Sequence, residues 1–133
     1  MSEYYYFESV DKPLTAAQQK ELRNVSTRAE IDSRCFVNEY HYGDLKAEPL
    51  KLMKTYFDVH LYYANWGTRV AMFKIPGDLV DINFVRKYET DETLKIHQSG
   101  TDVIFQMTAN TDDSDEWWEL GEGSRNSRRF VTI

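Results

Sequence analysis

Residues 61–76 read LYYANWGTRVAMFKIP, and this stretch decides the fold class. Apolar and aromatic residues alternate with others on both sides of Asn65-Trp66-Gly67, with Leu61 and Tyr63 before it and Val70 after it. Side chains alternate between the two faces of an extended chain. Asparagine and glycine supply the positive φ angles that tight connections need. The stretch therefore predicts a β-hairpin.

Helix signals and further extended segments surround this hairpin. Thr15 and Gln18 have the spacing of a capping box, which predicts a helix to about residue 24 with Leu22 on its buried side. Pro49 suits the first turn of a second helix, and Asp81 suits the N-cap of a short third one. A short aromatic run predicts a strand at 4–10, and alternating residues predict a strand at 31–42 and a second hairpin at 94–107 around Ser99-Gly100.

This order of segments predicts an α+β fold, a single domain in which a mostly antiparallel sheet has two or three helices packed on one face. A chain of 133 residues suits one domain and needs no metal or disulfide to fold. We assign residues 1–120 to this domain. Residues 121–133 turn basic and finish on Phe-Val-Thr-Ile, so we assign them to a C-terminal tail or docking strand.

The charge balance, the cysteine count and the N-terminus exclude several classes of partner and location. Sixteen basic residues against 22 acidic ones leave a formal charge of −6. Nucleic acids and anionic membranes attract cationic surfaces, so we predict neither as a partner. Cys35 is a lone cysteine and cannot form an internal disulfide. The N-terminus lacks the features of a signal peptide, and we expect a cytoplasmic protein.

No motif indicates a cofactor, a metal site or catalytic residues. His41, His60 and His97 lack a partner histidine at a metal-binding spacing. Cys35 is expected to act as a small apolar residue in a strand. Glycine-rich phosphate-binding motifs are absent from the sequence, and the acidic run at 112–116 lacks the spacing of a calcium loop.

Aromatic residues are the strongest functional signal. The chain has three tryptophans, nine tyrosines and seven phenylalanines. Tyrosine and tryptophan are favoured at interfaces because they combine apolar area with a polar group. Asn65, Trp66 and Arg69 at the hairpin, and Trp117 and Trp118 beside the acidic run, are therefore candidate binding residues. Local packing of Trp66 over its own hairpin is the alternative.

A second candidate site is a pocket between the sheet and the helices. Tyr40, His41, Tyr63 and Arg69 lie on two predicted strands, and pairing of those strands would bring them together. Such a pocket would make the chain a small-ligand-binding domain or an enzyme.

The stretches RCFVNEYHYGD (34–44), YFDVHLYYANWGTRVAMFKIP (56–76) and DDSDEWWELGEG (112–123) resemble the N-terminal part of an uncharacterised bacterial protein family. The resemblance covers roughly residues 4–123. Members of that family are longer and continue into a helical region. The resemblance implies a truncated or split member, and it implies no activity.

We therefore expect a non-catalytic protein-interaction or regulatory module. Its partner would be another protein, the remainder of a longer chain, or a second copy of itself. The small-ligand-binding domain or enzyme remains the alternative hypothesis.

Overall fold

The computed structural model describes residues 2–41 and 45–110, which form a single α+β domain of seven strands and three α-helices. The predicted fold class is confirmed. Two 3-10 turns flank the third helix. The strands are β1 (Glu3–Glu8), β2 (Glu30–Ile31), β3 (Cys35–Tyr40), β4 (Val59–Ala64), β5 (Arg69–Pro76), β6 (Leu94–Ser99) and β7 (Asp102–Ala109), and the helices are α1 (Ala16–Val25), α2 (Pro49–Thr55) and α3 (Ile82–Val85).

All strands belong to one sheet, in the order β2-β3-β1-β4-β5-β7-β6, and every neighbouring pair is antiparallel. The first strand lies inside the sheet, between β3 and β4. Its register places Tyr5 opposite Asn38 on one side and opposite Tyr62 on the other. Because side chains alternate along a strand, these three residues share one face.

The hairpin predicted at residues 61–76 is confirmed as β4 and β5. Tyr63 pairs with Arg69 at its closed end. Gly67 has a φ of 105°, which favours glycine, whereas Asn65 does not adopt a positive φ. The glycine therefore provides the unusual backbone angle, and the prediction that asparagine shares it was wrong.

The strand predicted at 31–42 is broken in two. The Asp32 carboxylate accepts hydrogen bonds of 2.7 Å from the backbone amides of Arg34 and Cys35. These bonds hold the pKa of Asp32 below its usual value. They also form a local turn that ends β2 and begins β3. Aspartate side chains commonly offer the backbone such hydrogen bonds as an alternative to those of a continuous strand.

The helices α1 and α2 pack on the face that carries Tyr5. The Thr15 hydroxyl accepts a hydrogen bond from the Gln18 backbone amide, and the Gln18 side-chain oxygen accepts one from the Thr15 backbone amide, as the capping box predicts. Pro49 opens α2 as predicted, and Asp81 caps α3. Within the described ranges, no helix is long and apolar enough to cross a membrane. The core joins both helices to the sheet through Phe7, Leu22, Phe36, Leu52, Met53, Phe57, Met72 and Ile104.

Candidate functional site

The sheet face opposite α1 and α2 carries exposed aromatic and apolar side chains. Tyr4 on β1, Leu61 and Tyr63 on β4, and Met107 on β7 are between 37% and 43% exposed. The register places all four on the same side, because Tyr4 pairs with Tyr63 and Ala71 pairs with both Leu61 and Met107. Tyr4, Leu61 and Tyr63 are neighbours on β1 and β4, whereas Ala71 of β5, which lies between Leu61 and Met107, is only 6% exposed. We call this side of β1, β4, β5 and β7 the open face.

Arg69 contributes a buried positive charge to this open face. The residue is only 6% exposed, and its guanidinium carbon lies 5.0 Å from the centroid of the Tyr63 ring. This distance is typical of a cation–π interaction. Arg69 also pairs with Ala109, the last residue of β7. The charge therefore lies at the end of the sheet where β7 finishes.

Tyr6, Glu8 and Cys35 form a polar cluster on the same side of the sheet. The Tyr6 hydroxyl donates to the Glu8 carboxylate and lies 3.7 Å from the Cys35 sulfur. The bond to Glu8, followed by burial, raises the pKa of Tyr6 above its usual value. Reactive thiolates need cationic neighbours. A neutral phenol and a carboxylate supply none in this contact, so the cluster does not have the chemistry of a nucleophilic site.

A polar cavity of about 750 Å³ lies at the end of α1 beside β3. Its basic side chains are Arg28, Lys46 and His41, and its carboxylate is Glu39, which lies 3.9 Å from His41. The remaining lining is mostly hydroxyl and amide groups, contributed by Ser2, Asn24, Ser26, Thr27, Asn38, Tyr40 and Asn65. Such a lining suits a polar ligand that carries an anionic group.

Hydrogen bonds hold the wall of this cavity. The Asn38 side-chain amide donates to the Ser26 hydroxyl at 2.7 Å. The Arg23 guanidinium donates to the backbone carbonyls of Thr27 and Ala29 at 2.9 and 2.7 Å. These bonds fix the backbone of the turn after α1, and they therefore fix the positions from which Thr27 and Arg28 line the cavity.

The structure separates the four residues of the predicted pocket. Tyr40 and His41 border the polar cavity, whereas Tyr63 and Arg69 lie on the open face. The physical reason is the two-residue period of a strand: Tyr62, not Tyr63, shares the helix-side face with Tyr40. The four residues therefore do not line one pocket: Tyr40 and His41 border the polar cavity, and Tyr63 and Arg69 do not.

The residues predicted at the hairpin are also distributed over different surfaces. Asn65 borders the polar cavity, and its backbone amide donates a hydrogen bond of 3.0 Å to the Ser2 carbonyl. Trp66 is 40% exposed at the hairpin tip, and Arg69 belongs to the open face. Trp117 and Trp118 lie outside the described residues.

Sequence reasoning missed the exposed members of the open face other than Tyr63, and it missed Arg28 and Lys46 in the cavity. A signal for the open face was present. In β4 both alternating sets are apolar or aromatic, with Leu61 and Tyr63 in one and Tyr62 in the other. A strand with one solvated face usually alternates between apolar and polar residues. Two apolar sets indicate that something covers, or can cover, both sides.

Within residues 2–41 and 45–110, no group of three or more histidine, cysteine, aspartate or glutamate side chains is placed to hold a metal ion. No family model, curated protein or solved structure matches the chain.

Proposed function

We propose that the protein is a non-catalytic, cytoplasmic interaction module whose open face docks a polypeptide segment with aromatic side chains beside acidic ones. The observation that carries this proposal is the exposure of Tyr4, Leu61 and Tyr63 on the adjacent strands β1 and β4, with Met107 exposed on the same side of the sheet. Soluble proteins rarely leave large contiguous apolar patches uncovered, and such patches mark sites of interaction.

The chemistry of the open face supports this kind of partner. Tyrosine and tryptophan rings pack favourably on tyrosine, and Tyr4 and Tyr63 supply two such rings. Full cover of each exposed side chain would contribute up to about 2 kcal/mol, at roughly 25 cal/mol per Å². The guanidinium of Arg69, whose carbon lies 5.0 Å from the centroid of the Tyr63 ring, adds positive charge beside these rings and favours a partner that carries carboxylates.

The resemblance to the N-terminal part of longer bacterial proteins is in keeping with this role. In such a protein, the remainder of the chain is a polypeptide partner on the same molecule. A docking module of this kind requires no cofactor.

A random peptide library displayed on phage tests the proposal. The target is the full chain with Trp117→Ala and Trp118→Ala, so that these tryptophans cannot compete with the library. We expect enriched peptides to contain aromatic residues next to aspartate or glutamate. Leu61→Asp should weaken their binding by about tenfold or more, since it places a charge on the apolar surface.

Leu79→Asp is the matched control. Leu79 is 74% exposed and lies in the 3-10 turn after β5, outside the set of side chains that defines the open face. Peptide binding should survive this change. The proposal fails when no peptide is enriched, or when peptides bind the Leu61→Asp and Leu79→Asp proteins equally well.

The polar cavity supports a second candidate function, the binding of a small anionic ligand. The cations Arg28 and Lys46 outnumber the single carboxylate of Glu39 there. A ligand that binds only the native state raises the melting temperature. We expect inorganic phosphate to raise the melting temperature of the wild type more than that of a Lys46→Ala variant, measured at constant ionic strength. Equal shifts in the two proteins would eliminate this second function.

A further inference from the structure

The outer edge of β6 is bonded to a segment of its own chain. In the part of the chain that the structure describes, β6 is the last strand on one side of the sheet. Such an edge presents a row of N–H and C=O groups to which another strand can add. The Thr93 carbonyl accepts a bond of 3.0 Å from the Thr108 amide of β7. Because bonding alternates along an antiparallel ladder, the backbone groups of Leu94, Ile96 and Gln98 face outward.

Glu89 and Thr90 occupy this edge in place of a neighbouring strand. The Thr90 amide donates to the Leu94 carbonyl at 2.8 Å, and the Thr90 hydroxyl accepts from the Leu94 amide at 3.3 Å. Oε2 of Glu89 accepts from the Ile96 amide at 2.9 Å. A paired strand would supply a backbone amide and two carbonyls at these points. Of the three outward-facing residues, only Gln98 lies beyond these contacts.

The Glu89 side chain is held from two directions. Its other oxygen, Oε1, accepts a bond of 3.1 Å from the Arg86 guanidinium. The bond from the Ile96 amide holds the pKa of Glu89 below its usual value. The carboxylate is therefore ionised at neutral pH, and its bond to the edge of β6 is charge-assisted.

We propose that Glu89 and Thr90 form an edge guard, which prevents a second copy of the chain from adding its β6 to this sheet. The outward-facing residues match one another about a two-fold axis, the commonest symmetry of protein dimers. With Ile96 opposite Ile96 of the second copy, each Leu94 lies opposite a Gln98, and all these residues turn their backbone groups toward the other strand. The guard thus keeps the chain from pairing at this edge, and it acts separately from the open face.

Sedimentation velocity of the full chain tests the guard at about pH 8, where histidine is uncharged. The variant Glu89→Ala/Thr90→Val removes the carboxylate and the hydroxyl that hold the Ile96 and Leu94 amides. We expect it to dimerise at concentrations at least about tenfold lower than the wild type. Glu92→Ala is the matched control, because it removes the same charge from an exposed residue of the same loop. It should behave as the wild type.

The substitution Gln98→Pro locates the association. The Gln98 amide faces outward, so proline removes no bond to β7 but takes away a donor that a second β6 needs. Added to the double variant, it should restore the monomer. Circular dichroism shows whether each variant is folded. Glu89→Ala alone, which keeps the bonds of Thr90, replaces the double variant if that protein does not fold.

Four results would overturn the proposal. A folded guard variant that stays monomeric would show that these bonds only begin β6. Equal dimerisation of wild type and guard variant would show that the edge is not guarded. Dimerisation of Glu92→Ala to the same extent would assign the effect to net charge, and dimerisation that Gln98→Pro does not reverse would assign it to another surface.

Discussion

His60 allows a sharp prediction of acid sensitivity. Its side chain is almost fully buried, at 1% exposure, and its ring stacks on Phe7 with centroids 4.1 Å apart. Nδ1 lies 3.1 Å from the Tyr6 carbonyl oxygen and donates to it. Nε2 has no hydrogen-bond partner among the described residues. A proton on Nε2 would therefore place an unpaired positive charge in the core.

Burial lowers the pKa of His60 from 6.5 to about 4, against a smaller opposing effect of the Tyr6 carbonyl. The unfolded chain takes up this proton near pH 6.5, and the folded chain does so only near pH 4. Stability therefore falls as the pH drops through this window and is retained above it. A tenfold change in proton affinity is worth about 1.4 kcal/mol, so the total loss is about 3 kcal/mol.

Urea denaturation at a series of pH values measures this loss. Carboxylates also titrate in this range, so the informative quantity is the difference between wild type and His60→Leu, a substitution of similar volume. The free energy of unfolding of the variant should lose about 3 kcal/mol less between about pH 7 and pH 4. His97→Gln is the control, because His97 is only half-buried and bonds to Gln106 at 2.8 Å. Parallel curves for wild type and His60→Leu would refute this account of His60.

Four further substitutions should destabilise the fold for separate reasons. Thr15→Ala removes the cap of α1 and should cost about 1 kcal/mol in the free energy of unfolding. Gly77→Ala would place a methyl group 2.4 Å from the Thr101 carbonyl oxygen and should cost about 1–3 kcal/mol, whereas Gly100→Ala meets open space and should show only the backbone cost of about 1 kcal/mol. Asp58→Ala removes the acceptor of two backbone amides that follow β1 and should cost about 1–3 kcal/mol. Urea denaturation checks all of them, and a change below the error of the method would contradict the corresponding contact.

The elements that sequence predicted best are those set by local rules. The alternation around Gly67 predicted the β4–β5 hairpin, and the spacing of Thr15 and Gln18 predicted the start of α1, because periodicity and capping depend on neighbouring residues. The break within residues 31–42 was missed. The Asp32 carboxylate there accepts hydrogen bonds from two backbone amides and ends the strand. The pattern of apolar residues does not indicate these side-chain bonds.

The candidate sites were harder to predict because they depend on which face the helices cover. In the sequence, Tyr63 and Tyr40 are both aromatic residues on predicted strands, so both are candidates for a pocket. Only the register of β1 between β3 and β4 shows that they lie on opposite sides of the sheet. The polar cavity joins Lys46 to Arg28 across distant parts of the chain, and no local pattern links such residues.

The position of β1 has a consequence for folding during synthesis. This strand leaves the ribosome before either of its neighbours, which are β3 and β4, and β4 ends only at Ala64. On the other side of β1, β4, β5, β7 and β6 form a ladder of mostly local pairings. Pairings between distant segments form slowly, because loop closure must precede them. The nascent chain therefore carries the aromatic run YYYF of β1 without both of its partners until β4 has been synthesised, and a chaperone that binds unpaired apolar segments would find one in β1 during that interval.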